Sequence, residues 1–108
     1  ITYSNKAKLK ILGVTKDTLI EEGAVSEKVV KEMAEGALRN SGSDFAISIS
    51  GIAGPTGGTD DKPVGTVCFG IGSQDNINCF TEYFKGDRDE VRKQSVAFAL
   101  KELIKCLQ

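Results

Sequence analysis

The sequence predicts an α/β domain: helices layered on a short mixed sheet in the order strand, helices, strand, hairpin, helix. Three observations carry this. The segment Ser26 to Asn40 repeats apolar residues at steps of three and four; the segments 45–50, 66–73 and 77–85 are short and rich in β-formers; and a capped amphipathic helix closes the chain. At 108 residues with 40% apolar content the chain fits one domain, residues 1–108, with a modest core.

In chain order, Ile1 to Tyr3 read as the end of a strand. Ser4 or Asn5 can then cap a helix over Lys6 to Leu12, which Gly13 stops. A second short helix from Thr15 through Glu22 ends at Gly23. Ser26 caps the third, whose buried face is Val29, Val30, Met33, Ala34, Ala37 and Leu38. After the turn Ser41-Gly42-Ser43, residues 45–50 alternate Phe, Ile, Ile with Ala, Ser, Ser, a strand with one face of small side chains. The stretch 51–65 is glycine-rich and holds both prolines of the chain, so it is a long loop, ordered or mobile. Two β-rich runs, separated by Gln74, Asp75 and Asn76, should pair as an antiparallel hairpin. Asp87 with Glu90 three residues on is a capping-box start for the last helix, whose expected core face is Val96, Leu100, Leu103, Ile104 and Leu107.

Composition narrows the function. With 14 basic against 15 acidic residues the net charge is -1, which gives no reason to expect nucleic acid as partner, and any anion site must be local. Three widely spaced cysteines suit free thiols in a reducing compartment. No apolar run approaches the ~20 residues of a membrane span, so no membrane partner is expected and the cytoplasm is the expected location. The absence of histidine rules out Ser-His-Asp and Cys-His arrangements and an ordinary histidine-rich zinc site within these residues. No metal and no cofactor is expected, and base catalysis would fall to Lys, Tyr or a carboxylate.

Three groups of residues could carry chemistry. The loop Ser50-Gly51-Ile52-Ala53-Gly54-Pro55 runs off the carboxyl end of a strand, where ligands of α/β sheets lie and where glycines let backbone N–H groups approach an anion. It is neither a Walker loop nor a dinucleotide fingerprint, and it also suits a plain connection. Arg88 and Arg92, four apart at a helix start, could clamp a phosphate or simply pair with the neighbouring acids. Tyr3 and Lys8 could form a base without histidine, an ammonium lowering a hydroxyl pKa; Lys6 and Lys10 are as well placed on spacing alone. Cys68 reads as a small core residue, and Asp60-Asp61 as a solvated loop pair before a magnesium site.

Taken together, Thr2-Tyr3-Ser4-Asn5 with Ala7-Lys8, Leu12-Gly13-Val14, Gly23-Ala24-Val25-Ser26, Ser50 to Pro55, Lys62-Pro63-Val64-Gly65 and Gly86-Asp87-Arg88 resemble the CinA C-terminal, nicotinamide-nucleotide amidohydrolase family, in order and over nearly the whole chain. The resemblance implies a three-layer α/β/α domain that hydrolyses the carboxamide of nicotinamide mononucleotide, giving nicotinate mononucleotide and ammonia in pyridine-nucleotide recycling. In that family a serine attacks the amide carbon, assisted by a tyrosine and a lysine that match Tyr3 and Lys8, while the Ser50 to Pro55 loop lines the substrate site and Arg88 or Arg92 is a phosphate contact.

That serine lies in a Glu-Ser-Cys-Thr-Gly-Gly-like segment upstream of the Tyr-Ser-Asn phrase, and these 108 residues open after it. The expectation is an N-terminally incomplete domain, with an exposed sheet edge and core that would leave these residues poorly stable, inactive or dependent on a partner, and that would favour a homo-oligomer. Two other functions compete with the amidohydrolase. One is a non-enzymatic nucleotide- or phosphate-binding remnant that lacks the nucleophile; the other is a structural role within a larger competence- or damage-related protein.

Overall fold

The computed structural model describes residues 4–108, so the strand expected at Ile1–Tyr3 lies outside the described residues. The elements are α1 (Asn5–Leu12), α2 (Lys16–Glu22), α3 (Glu27–Ser41), β1 (Ala46–Gly51), β2 (Thr66–Ser73), β3 (Asn76–Tyr83) and α4 (Arg88–Leu107). The α/β class is as expected. The described strands form one sheet in the order β1-β2-β3, antiparallel throughout. The hairpin turn is two residues, Gln74 and Asp75, because Asn76 already pairs with Ser73.

Helix starts follow the capping chemistry. Ser4, Thr15 and Ser26 each accept a backbone N–H three residues on, and Asp87 and Glu90 close the reciprocal capping box. Gly13 and Gly42 end α1 and α3 in the left-handed conformation, at φ 71° and 68°.

The sheet separates two cores. Toward α3, Val29, Val30 and Met33 pack with Val14 and Cys68, and α1 and α2 lie against α3. Toward α4, Val67, Phe69 and Ile71 of β2 pack with Val91 and Ala99, flanked by Phe80, Phe84 and Phe98. The side chains of β2 alternate between these two cores, as a strand buried on both faces must. Helices on both sides of a sheet make three layers, the arrangement the family resemblance implies.

Small residues bring the layers together. Gly36 of α3 sits under the end of α1, where an added Cβ would fall 1.7 Å from the Leu12 carbonyl oxygen. Gly70 of β2 sits under α3, where a Cβ would come within 2.7 Å of both Ser48 Oγ and the Val30 carbonyl oxygen. The small face expected for β1 is therefore the face on which α3 rests.

One expectation is corrected. Val96, Leu100, Ile104 and Leu107 do not form the core face of α4; they are 56%, 52%, 56% and 60% exposed. The buried face is instead Val91, Ser95 and Ala99, with Phe98, Leu103 and Cys106 partly buried. Small side chains let the helix lie close on β2, and Ser95 satisfies its hydroxyl on the Val91 carbonyl at 2.8 Å.

Gly36→Ala is expected to destabilise the fold by about 3 kcal/mol, because rigid backbone opposes the new methyl group. Gly42→Ala, where nothing lies within 4 Å but φ is positive, should cost about 1 kcal/mol. Urea unfolding of the two variants tests the contrast, and equal losses would contradict the α1–α3 contact.

Candidate functional site

The carboxyl end of β1, the loop 52–65 and the first turn of α4 meet at one end of the sheet. The loop is ordered at its base, where Ile52 N–H donates to the Thr66 carbonyl at 2.9 Å and Gly65 N–H to the Ile52 carbonyl at 2.7 Å. At its tip, Thr59 N–H donates to the Lys62 carbonyl at 2.9 Å and Lys62 N–H returns to Thr59 Oγ1 at 3.0 Å, turning the chain through Asp60 and Asp61. Glycine is required where the loop packs on itself. A Cβ at Gly54, which has φ 88°, would fall 2.6 Å from Val64 Cγ1, and one at Gly65, with φ 99°, would fall 2.1 Å from the Phe84 carbonyl oxygen.

Two cations hold the loop from opposite sides of the sheet. Arg88 donates from Nη1 to the Gly54 carbonyl at 2.9 Å, and Lys62 donates from Nζ to the Glu22 carbonyl at the end of α2 at 2.7 Å. The second is a helix C-terminus, where a carbonyl without an intrahelical partner favours a cation. Lys62 was visible in the sequence only as part of the Lys-Pro-Val-Gly phrase. The signal that could have found it is a basic residue inside a glycine-rich loop, since its partner lies 40 residues away.

The expected site residues have these places. Ser50 spends its hydroxyl on the Ala24 carbonyl at 2.8 Å, so it ties β1 to the segment before α3. Ile52 and Ala53 are half-buried, and Ala53 packs into the α4-side core. Gly54 is buried, while Pro55 and the residues after it to Asp61 are exposed. Gly51, Ala53 and Arg92 line one apolar cleft of about 230 Å³ between β1 and α4, so the fold brings the loop and Arg92 together. Among the described residues Arg92 makes no ion pair, and one arm of Arg88 is taken by Gly54. Tyr3 lies outside the described residues.

Lys8 is 8% exposed on α1, and among the described residues no carboxylate pairs with it. Burial lowers its pKa below the ordinary 10.5. Lys6 and Lys10 on the same helix are exposed, so burial distinguishes Lys8 from them where spacing could not.

A second cleft, of about 240 Å³, opens on the other side of the sheet between Lys62, Thr66, Thr81 and the start of α3. There Thr81 donates its hydroxyl to Glu27 Oε2 at 2.6 Å, beside the Cys68 thiol at 3.5 Å. Burial, with Glu27 nearby, pushes the Cys68 pKa up, which makes it an inert thiol and fits the core role expected from its strand.

The fold and this end of it define a three-layer α/β domain with a clamped glycine-rich loop at the carboxyl end of a strand. The chain belongs to the CinA C-terminal domain family, which it matches over residues 1–107. It is 53% identical over 104 residues to the "Nicotinamide-nucleotide amidohydrolase PncC" of Escherichia coli K12, covering 95% of this chain and 63% of that protein. It is 48% identical over 110 residues to a "CinA-like protein" of Fervidobacterium nodosum, covering 98% of this chain and 27% of that one. A competence or damage-inducible protein from Enterobacter asburiae superposes with a TM-score of 0.94 at 41% identity, over 99% of this chain and 67% of that structure. The chain thus spans less than two thirds of the length of the Escherichia coli amidohydrolase it matches.

Two outcomes are expected. Arg88→Ala should speed amide exchange at Ile52 and Gly65 while leaving the helicity of α4 unchanged, at a cost of about 1 kcal/mol; unchanged exchange would show that the guanidinium does not hold the loop. For Lys8, a pKa lowered on folding means that protonation opposes folding. That penalty is full below the folded-state pKa and fades as pH rises toward 10.5, where the unfolded lysine also loses its proton. Lys8→Met should therefore stabilise the fold at pH 7, with the gain shrinking in alkali, as denaturant midpoints across that range would show.

Proposed function

We propose that this domain forms part of an amidohydrolase that converts nicotinamide mononucleotide and water to nicotinate mononucleotide and ammonia, in pyridine-nucleotide recycling. The observation that carries the reading is Lys8, a buried lysine whose pKa burial lowers, in a chain that has no histidine to act as base. The 53% identity to a protein named as a nicotinamide-nucleotide amidohydrolase supports it.

In this reading Tyr3 and Lys8 are the catalytic groups contributed by these residues, and the attacking serine belongs to the segment that the family resemblance places upstream. Lys8, whose proton burial makes easier to lose, accepts the serine proton, directly or through the tyrosine hydroxyl, as the oxygen attacks the carboxamide carbon. The proton then passes to the leaving nitrogen, ammonia departs from the acyl-serine, and water completes hydrolysis to the carboxylate. No metal or cofactor enters these steps.

The loop Ser50 to Pro55 and the two arginines form the substrate end. Ser50 and Arg88 act by holding the loop, and the exposed backbone beyond Gly54, with Arg92, meets the 5'-phosphate. Arg92 is the stronger phosphate contact of the two, because Arg88 is already engaged with Gly54.

The test is ammonia release from nicotinamide mononucleotide by the native protein. Lys8→Ala is expected to lower kcat by at least about 100-fold, with Tyr3→Phe also impaired. Arg92→Ala should raise KM for the mononucleotide and leave KM for the riboside, which has no phosphate, unchanged. Tight binding of the mononucleotide without turnover would instead support a binding remnant.

A further inference from the structure

The outer edge of β3 has no partner among the described residues. The strand Asn76–Tyr83 contains neither proline nor lysine, two devices that ordinarily keep such an edge from pairing. The backbone groups it offers follow from its register. Phe84 N–H donates to the Gly65 carbonyl at 2.9 Å, and bonded pairs recur at every second residue of an antiparallel ladder. The even-numbered residues of β3 therefore turn their N–H and C=O toward β2. Ile77, Cys79, Thr81 and Tyr83 turn theirs outward.

A second β3, antiparallel to the first, can take those bonds only where odd residues face odd. The register that uses all four sets Cys79 against Thr81 and Ile77 against Tyr83. It puts Phe80 against Phe80 on the two-fold axis, an aromatic cross-strand pair. Glu82, the one charge of the strand, falls opposite Asn78. Tyr83, which is 65% exposed, gains the half-buried Ile77 as a neighbour.

The charges of α3 select the same register. Glu27, Lys31 and Glu35 are exposed, four residues apart and alternate in sign. Glu27 accepts the Thr81 hydroxyl at 2.6 Å, Glu35 shares a cleft with Ile77, and Lys31 lies between them beside Cys79. Among the described residues none of the three is in an ion pair. Where Thr81 meets Cys79 of a second copy, Glu27 is carried to that copy's Lys31, and the two-fold axis repeats the pair. Val30 lies over Gly70 of β2, so the two α3 helices would stand three strand spacings apart, about 14 Å, a gap that a lysine and a glutamate span together. Sliding the strands by two residues would set Cys79 against Cys79 and Lys31 against Lys31. We infer that two copies of this chain associate here, β3 on β3 about a two-fold axis at Phe80, joining their sheets into one.

Sedimentation of the native protein is expected to show a dimer. Glu27→Lys and Lys31→Glu each bring two pairs of like charges together, and each should weaken the dimer about tenfold at low salt with unchanged circular dichroism. Mixing the two variants should restore wild-type affinity, because the mixed pair again sets opposite charges together. An effect confined to one copy's own helix would not be rescued in this way. Asn78→Cys with Glu82→Cys should give a disulfide-linked dimer on air oxidation beyond any formed by the wild type. Asn76→Cys with Glu82→Cys, matched to the displaced register, should not. A monomeric native protein, single variants that dimerise as the wild type does, or a mixture no tighter than its components would overturn the inference.

Discussion

The spacing between α3 and the sheet governs the rest of the structure, and residues too small to hold the helix away set it. Ser48 donates its hydroxyl to the Val30 carbonyl at 2.5 Å, a side chain of β1 reaching the backbone of a helix, and Gly70 beside it leaves no room for a methyl group. A serine buried here would be costly without that bond, so the contact both permits the approach and fixes the helix along its axis. With α3 fixed, Ser50 meets the Ala24 carbonyl, and the start of α3 comes to stand at the carboxyl end of β1. The position of this end of the sheet, where the loop 52–65 lies, thus follows from a strip of glycine and serine in the middle of the sheet.

That end is held as a bridge between the helical layers. Lys62 fastens the loop to α2 on one side of the sheet, and Arg88 fastens it to α4 on the other. The glycines then serve two purposes. Gly54 and Gly65 let the loop fold on itself and against Phe84, while the exposed stretch beyond Pro55 is free to present backbone groups. A loop tied at its base and at two side chains enters a binding event with much of its ordering cost already met, which favours affinity over adaptability.

Local chemistry made much of this legible from sequence. The caps at Ser26 and Asp87 and the stops at Gly13 and Gly23 are read from local residues and lie where the structure has them, while the first cap, open between Ser4 and Asn5 in the sequence, falls to Ser4. The alternation in β1 likewise revealed a face of small side chains, and the structure rests α3 on it. What failed was the choice between two faces of α4, because periodicity ranks the larger apolar stripe as core. Here the buried stripe contains Ser95 and Ala99, selected for closeness to β2 rather than hydrophobicity. The clamps were also hidden, since Arg88 and Gly54 are 34 residues apart and neither has a local signature for the other.

Lysine chemistry without histidine sets its own constraint on α1. An ammonium is disfavoured both by burial and by the positive end of a helix, and Lys8 lies in the first turn of a helix that begins at Asn5 with no acidic residue in that turn. At the start of α4 the opposite holds, for Asp89 and Glu90 share the first turn with Arg88 and offset its charge. The same element of structure, a helix N-terminus, therefore carries one cation that is buried with no acid in its turn and another that is set among acids. The difference lies in which neighbours the sequence supplies. In the proposed reaction the contrast separates two roles, a buried lysine disposed to accept a proton and an arginine that fixes the loop at Gly54.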